Sequence, residues 1–167
     1  MRVTWVSCAC KYEAGGGFCQ EKSATRAFGR FKGTTAIATG AAGNFGSCCA
    51  RRFASEGASV ACFDLKPADD LVAELSAAYP EAKFASYTLD VTDVPTVEGA
   101  VSDVVKDFGR IDYLFNNAGY QGDFAMAQDY KIPDFQRVID INVVGMFAVL
   151  KTVANACTRH ARQEAIT

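Results

Sequence analysis

The stretch TGAAGNFG, residues 39–46, decides the fold. Its three glycines, Gly40, Gly43 and Gly46, recur at every third position, after an apolar run and before a small-residue segment with helical potential. A glycine turn between a strand and a helix lets backbone N–H groups approach a phosphate at the positive end of the helix. The stretch therefore predicts a nucleotide-binding turn. A merely tight turn has the same composition, and the spacing differs from Gly-x-Gly-x-x-Gly.

From Thr34 onward, apolar strand-like runs alternate with segments of helical periodicity. This alternation predicts parallel strands with right-handed crossovers, hence an α/β, doubly wound sheet of Rossmann type. Four strand-helix units favour the strand order 3-2-1-4. The predicted strands are residues 34–39, 59–64, 83–89 and 111–116, and the predicted helices are residues 45–56, 68–79, 94–108 and 134–159.

Charge and glycine content divide the chain into two parts. Residues 1–32 carry six basic and two acidic side chains and a Gly-Gly-Gly run, whereas the remainder carries eleven basic and seventeen acidic side chains. We expect residues 1–29 to be a flexible extension and residues 30–167 to form the domain. No apolar segment follows Arg2 as in a secretory signal, although organellar targeting by residues 1–29 stays open.

The overall composition excludes several classes of function. A net charge of -2 gives no electrostatic case for nucleic acid, and the longest apolar run, residues 143–150, is too short to span a membrane. Seven cysteines without a Cys-x-x-Cys pair, and one histidine, His160, predict no metal site. This odd number of cysteines without such a pair indicates a reducing compartment, so we expect a cytoplasmic protein.

Three further features follow predicted strands or fall on the last helix. Asp64 ends the second strand, 24 residues after Gly40, where a carboxylate can bond adenosine ribose hydroxyls or simply open a solvated turn. The sequence NNAG, residues 116–119, follows the fourth strand and provides either room for a cofactor or an ordinary polar turn. Asn142 falls on an apolar stripe of the last helix, either as a satisfied buried amide or as a site residue. The members of that stripe are Phe135, Val138, Ile139, Met146, Val149, Leu150 and Val153.

Together these residues resemble the short-chain dehydrogenase/reductase family. The motifs TGAAGNFG, Asp64, LDVTD at 89–93, NNAG and INVVG at 141–145 occur in the family's order and spacing, over about residues 30–155. The segments DFGRIDYLFNNAGYQGDFA, residues 107–125, and DINVVGMFAVLK, residues 140–151, look most similar to NAD-dependent xylitol and other polyol dehydrogenases.

The resemblance implies NAD as the cofactor, a small-molecule alcohol or ketone as the substrate, and an open possibility of a homo-oligomer. It implies a catalytic-site role for Asn142, which supports a proton relay through water. The cofactor-binding residues that it implies are Gly40, Gly43, Asn44, Phe45 and Gly46 at the pyrophosphate, Asp64 at the adenosine ribose, Asp90 and Val91 at the adenine, and Asn116, Ala118 and Gly119 near the nicotinamide ribose. Asn44 stands where many members of the family have glycine.

The family's acid/base residues are missing from the 167 residues. Its Ser and its Tyr-x-x-x-Lys pair belong to the fifth strand and the following helix, which we expect to lie beyond an amino-terminal portion such as this one. Tyr79 and Lys83 have the spacing, but Pro80 disfavours a helix there and the pair precedes NNAG. We therefore expect this chain to be inactive alone. Two alternatives remain: a nucleotide- or partner-binding fragment without catalysis, and a sugar-nucleotide epimerase or dehydratase.

Overall fold

The computed structural model describes residues 29–164, with side chains described as far as Cys157. Four parallel strands form one sheet in the order β3-β2-β1-β4, which confirms the predicted architecture. The strands are β1 (Thr35–Thr39), β2 (Ser59–Asp64), β3 (Phe84–Thr88) and β4 (Tyr113–Phe115). The helices are α1 (Asn44–Ser55), α2 (Asp69–Ala78), α3 (Val94–Phe108), α4 (Ile132–Ile139) and α5 (Met146–Glu164). A short 3-10 turn, Ala127–Asp129, precedes α4, and a π-helical segment, Asp140–Gly145, joins α4 to α5.

Both faces of the sheet are covered by helices, which is why the central residues of β1 and β2 are apolar and buried. Ala38 of β1 belongs to the core cluster that includes Phe53 of α1 and Leu75 of α2. Its neighbour Ile37 belongs to the cluster on the other face, which includes Val101 of α3 and residues of α5. Successive side chains of a strand point to opposite faces, so one buried strand serves both clusters.

The strand order creates the crevice in which open α/β sheets bind their ligands. β1 pairs with β2 on one side and with β4 on the other, so the crossovers leave β1 in opposite directions. The segments that follow β1 and β4 therefore meet at the carboxyl edge of the sheet. These segments contain the glycine turn and NNAG.

β4 is shorter than the six-residue strand that the sequence predicts, and side chains contribute to its bonding with β1 at both ends. The Asp112 carboxylate accepts a hydrogen bond from the Thr35 N–H at 2.9 Å before the strand begins. After the strand, Asn116 and Asn117 bond to Thr39 through side-chain groups. The observed strand covers only Tyr113–Phe115.

The prediction of one regular last helix is wrong in two respects. The helical stretch begins at Ile132, and a π-helical turn at Asp140–Gly145 interrupts it around Asn142. Of the predicted apolar stripe, only Val149 and Val153 are buried, whereas Phe135 is 52% exposed. Because the π turn changes the rotation per residue, the apolar positions before it do not continue the stripe that packs on the sheet.

The helix also carries an exposed apolar surface. By length and composition alone, the 26 residues Ile132–Cys157 could cross a membrane, although only a minor part of this stretch is buried in the domain. In the described structure, Val149 and Val153 instead pack in the core cluster that contains α3. One side of the helix thus packs on the sheet, and the opposite side of the helix is exposed to solvent.

A buried carboxylate holds the first residues of the domain against α1 through hydrogen bonds. Glu56, which follows α1 and is fully buried, accepts hydrogen bonds at 2.7 Å from the guanidinium groups of Arg30 and Arg52. Its backbone carbonyl also accepts from the Phe31 N–H at 3.0 Å. The predicted flexible extension, residues 1–29, lies outside the described residues apart from Gly29.

Candidate functional site

The glycine turn is built by close backbone approach. Gly40 has a φ of +69°, and a Cβ there would lie 2.8 Å from the Asn117 amide nitrogen. A Cβ on Gly46 would overlap the Gly40 carbonyl. The turn is closed by a 3.0 Å hydrogen bond from the Gly43 N–H to the Gly40 carbonyl. Two of the three glycines are therefore required by geometry, and this spacing forms the turn although it is not Gly-x-Gly-x-x-Gly.

Helix α1 begins directly after the turn, and the N–H groups of its first residues are free. Gly43 is the residue before the helix, and no side chain caps the helix there. Asn44, Phe45 and Gly46 are the first three helical residues, so their N–H groups have no acceptor within the helix. Phe45 is 67% exposed, and no acidic side chain lies in the first turn. A pyrophosphate fits this edge, because these donors and the positive end of the helix lie together at the carboxyl edge of the sheet.

Asp64 lies beside the turn, at the end of β2. Its Oδ2 accepts a hydrogen bond from the Ala42 N–H and its Oδ1 accepts one from the Lys66 N–H, both at 2.9 Å. A carboxylate has about four acceptor positions, so acceptor capacity remains for ribose hydroxyls. The residue is partly exposed, as a ligand contact requires.

Asp90 and Val91, expected near the adenine, occupy different environments. Asp90 is exposed, and its Oδ1 accepts from the Thr92 N–H at 2.9 Å and the Thr92 hydroxyl at 2.7 Å. Val91 is buried, and its side chain would lie 2.8 Å from a Cβ on Gly145. Asp90 thus stabilises the turn before α3, whereas the Val91 side chain packs against Gly145 of the π-helical segment.

Thr39 is a residue of the site that the sequence reasoning missed. Its hydroxyl oxygen accepts from the N–H groups of Asn117 and Ala118 at 2.8 and 2.9 Å, and the hydroxyl donates to the Asn116 side chain at 3.2 Å. The residue is fully buried at the end of β1. A polar side chain closing an otherwise apolar buried strand was the available signal, because a buried hydroxyl must find partners.

NNAG is thereby joined to both of its neighbours. Thr39 holds its backbone to β1, and the Asn116 amide donates at 2.7 Å to the carbonyl of Met146. Gly119 lies against Asn142, since a Cβ there would come within 3.2 Å of the Asn142 Oδ1. The turn therefore connects the glycine loop to the π-helical segment.

Asn142 is clamped by a single peptide segment. Its Oδ1 accepts from the Tyr120 N–H and its Nδ2 donates to the Tyr120 carbonyl, both at 2.8 Å. This satisfies the amide in the way that a structural asparagine requires. It also leaves one N–H and one lone pair of the amide for a further partner. The structure thus combines both of the readings that the sequence left open for Asn142.

The Tyr79 and Lys83 pair does not form an acid/base site. Tyr79 follows the end of α2 and packs against the core cluster that contains α1 and α2. The Lys83 ammonium donates to the Asp107 carbonyl at 2.7 Å and lies 5.3 Å from the centre of the Phe108 ring, beside α3. The two side chains are on opposite faces of the sheet, at the edge where the strands begin.

Fold and site together define a dinucleotide-binding unit of Rossmann type: a glycine turn on β1, an acid ending β2, and a small-residue turn after β4. The model of the short chain dehydrogenase family matches residues 34–166 of the chain. The chain therefore belongs to the short-chain dehydrogenase family, as its motifs indicate.

Individual relatives agree with this assignment. Momilactone A synthase of Oryza sativa subsp. japonica is 41% identical over 127 residues, which are 73% of this chain and 44% of the relative. A short-chain dehydrogenase of Aspergillus ruber is 38% identical over 129 residues, covering 72% of this chain and 46% of the relative. The chain thus spans about half the length of the curated relatives it matches.

Solved structures show the same correspondence. A crystal structure of NAD+-bound xylitol dehydrogenase is 46% identical, with a TM-score of 0.68, and covers 75% of this chain and 48% of that one. A short-chain dehydrogenase of Burkholderia cenocepacia in complex with NADP is 29% identical, with a TM-score of 0.69, over 75% of this chain and 51% of that one. The resemblance to xylitol dehydrogenases noted from the sequence is confirmed by the first of these structures.

Proposed function

We propose that this chain is the cofactor-binding portion of an NAD-dependent dehydrogenase acting on an alcohol or polyol and the corresponding ketone. The observation that carries the proposal is the glycine turn, where Gly46 lets α1 pack against the Gly40 carbonyl, the first N–H groups of α1 have no acceptor within the helix, and Asp64 lies alongside. The likeness to NAD+-bound xylitol dehydrogenase supports the cofactor and the substrate class.

The proposed binding mode assigns a task to each residue of the site. Gly40, Gly43 and the N–H groups of Asn44, Phe45 and Gly46 receive the pyrophosphate. Asp64 accepts from the adenosine ribose hydroxyls and repels a 2′-phosphate, which favours NAD over NADP. The remaining residues, Asp90, Val91, Asn116, Ala118 and Gly119, line the adenine and nicotinamide ends.

A bound nicotinamide dinucleotide supplies or accepts the hydride. A proton must also be transferred to or from the substrate oxygen. Asn142 has one amide N–H and one lone pair left beside the Tyr120 peptide, so it can hold a water molecule at the edge of the crevice. An amide does not titrate near neutral pH, so Asn142 orients such a water and does not act as acid or base. The 167 residues contain no Tyr-x-x-x-Lys pair after NNAG. We propose that this polypeptide binds the cofactor without turning over substrate.

A nucleotide-binding polypeptide without catalysis is therefore the second candidate, favoured by the missing Tyr-x-x-x-Lys pair, while NNAG favours a dehydrogenase over an epimerase. General acid/base assistance is typically worth about 10²–10⁴-fold in rate, and an incomplete pocket also loses substrate orientation. We further propose a cytoplasmic location for the protein, because an odd number of cysteines without a Cys-x-x-Cys pair is typical of a reducing compartment.

The test is to titrate the purified 167-residue chain with NADH and NADPH by calorimetry, and to follow nicotinamide absorbance with xylitol, sorbitol, secondary alcohols and the matching ketones. We expect saturable binding that favours NADH, and no turnover. Failure to bind either cofactor would contradict the cofactor assignment. Turnover that disappears with Asn142→Ala would contradict the assignment of a non-catalytic chain.

A further inference from the structure

The segment between NNAG and α4 is organised around one carboxylate. Asp134 Oδ1 accepts from the Tyr120 hydroxyl at 3.0 Å. Its Oδ2 accepts from the Tyr130 hydroxyl at 2.7 Å and from the Asp123 N–H at 2.8 Å. Three donors that lie 4, 11 and 14 residues from Asp134 therefore converge on a single side chain.

The backbone at Gly122 packs closely against this carboxylate and its partner Tyr130. Gly122 has a φ of +79°, and a Cβ there would overlap the Tyr130 hydroxyl and lie 3.0 Å from the Asp134 Oδ2. The Arg137 guanidinium lies 4.7 Å from the centre of the Tyr120 ring and covers it from the α4 side. Tyr120 is thus fixed at its hydroxyl by Asp134 and at its ring by Arg137.

The same tyrosine forms the clamp on Asn142. The Tyr120 N–H and carbonyl supply both hydrogen-bond partners of the Asn142 amide, each at 2.8 Å. The chain of contacts therefore runs from the Asp134 carboxylate through the Tyr120 phenol to the Tyr120 peptide groups and then to Asn142. Every link in it is a hydrogen bond or a covalent bond within one residue.

We propose that Asp134 is a positioning residue for Asn142. By holding Tyr120 and the turn at 122–130, it sets the peptide groups that orient the Asn142 amide at the π-helical turn. Calling Asn142 a site residue rests on the proposed function, whereas the coupling between Asp134 and Asn142 does not. In the proposed enzyme, Asp134 would act on the reaction only through Asn142.

The test uses the side-chain amide signals of Asn142 in a two-dimensional ¹H–¹⁵N spectrum of the 167-residue chain, assigned by their loss in Asn142→Asp. The principal variant is Asp134→Asn, which keeps the shape but replaces one acceptor oxygen by an NH₂ group. The matched control is Asp129→Asn, an exposed carboxylate of the same segment. Tyr120→Phe keeps the ring and removes only the phenol hydrogen bond to Asp134.

With Asp134→Asn we expect the Asn142 amide signals to shift and their exchange with water to accelerate at least about tenfold, since hydrogen bonds to a charged group are the stronger ones. Asp129→Asn should leave both quantities unchanged, and Tyr120→Phe should reproduce part of the effect. Unchanged Asn142 signals in a folded Asp134→Asn chain would overturn the proposal. If that variant unfolds, Tyr120→Phe decides: an unaltered Asn142 amide overturns the proposal and a shifted, faster-exchanging one supports it.

Cofactor titration of the same variants separates the two hypotheses. A chain that fails to bind NADH but still couples Asp134 to Asn142 would refute the proposed function and leave the positioning role intact. If the chain binds NADH but Asp134→Asn leaves the Asn142 amide signals unchanged, only the positioning role is refuted.

Discussion

The Asp64 carboxylate accepts a hydrogen bond at 2.9 Å from the N–H of Ala42, in the middle of the glycine turn. The side chain expected to select the cofactor therefore also fastens the loop that receives its pyrophosphate. Its other oxygen fastens the loop after β2 through the Lys66 N–H. A substitution at Asp64 acts on both tasks at once.

We predict that Asp64→Ala weakens binding of NADH and shifts the cofactor preference toward NADPH. Loss of the Ala42 bond should cost both cofactors about 1.5–3 kcal/mol, roughly ten- to hundredfold in affinity. Loss of the ribose contact and of the charge should shift the NADH/NADPH preference toward NADPH by a further amount, on the order of 1–4 kcal/mol. Calorimetric titration of both cofactors measures the two effects separately.

Asp69→Ala is the control for that experiment, because Asp69 is an exposed acid at the start of the neighbouring helix α2. It should change neither affinity appreciably. An unchanged preference ratio with Asp64→Ala would show that this carboxylate does not face the adenosine ribose. An unchanged NADH affinity would show that it neither contacts the ribose nor supports the loop.

Thr39→Val should destabilise the connection between β1 and NNAG. The substitution keeps the shape of the side chain but leaves the Asn117 and Ala118 N–H groups without their acceptor, at a cost of about 2–5 kcal/mol. Hydrogen exchange at these two amides, together with urea unfolding, measures the loss. Thr39→Ser retains the hydroxyl and should keep the two amides protected. Equal protection in the valine variant would refute the role of the hydroxyl.

Two glycines in helices should respond to alanine in opposite ways. Gly46→Ala places a Cβ against the Gly40 carbonyl, so we expect a loss of about 1–3 kcal/mol in the free energy of unfolding. Gly99→Ala, in the exposed middle of α3, meets nothing within 4 Å and should stabilise the chain by up to about 1 kcal/mol. Urea denaturation of both variants is the measurement. A Gly46→Ala chain as stable as the parent would contradict the close approach of α1 to the turn.

The Tyr130 phenol should ionise at an unusually high pH. Its hydrogen bond to the Asp134 carboxylate raises the pKa of the Tyr130 phenol to about 12, from an ordinary value of 10. A raised folded pKa means that this contribution to stability is complete below pH 10 and is lost as the pH rises toward 12. Absorbance titration at 295 nm of the chain and of Tyr130→Phe isolates this residue. If the difference between the two titration curves has its midpoint near pH 10, the hydrogen bond is contradicted.

The sequence was sufficient for the sheet because its signals are local. The apolar runs of β1 and β2, the glycine turn between β1 and α1, and Gly109 at the end of α3 each act within a few residues. Gly109 has the left-handed conformation that commonly ends a helix, with a φ of +82°, and Pro95 lies in the first turn of α3. Element order and strand order followed from these features and from the handedness of crossovers.

The site depends more on contacts between distant residues, which periodicity does not reveal. Thr39 bonds residues 77–79 positions away, and Asn142 bonds Tyr120, 22 positions away. The π-helical turn around Asn142 has no compositional signature, so a regular helix was the natural expectation. The roles assigned to Gly40 through Gly119 came from family resemblance, and they remain predictions until a ligand is observed.

The measurement that tests the central claim most directly is mapping of NADH onto the chain by ¹H–¹⁵N chemical-shift changes. The claim predicts saturable shifts concentrated at residues 42–47, at Asp64 and at residues 116–120, all at the carboxyl edge of the sheet. Gly46→Val, which fills the space beside the Gly40 carbonyl, should abolish them. Shifts confined to the exposed face of α4 and α5, or no saturable shifts at all, would contradict the assignment of this chain as a nicotinamide dinucleotide-binding unit.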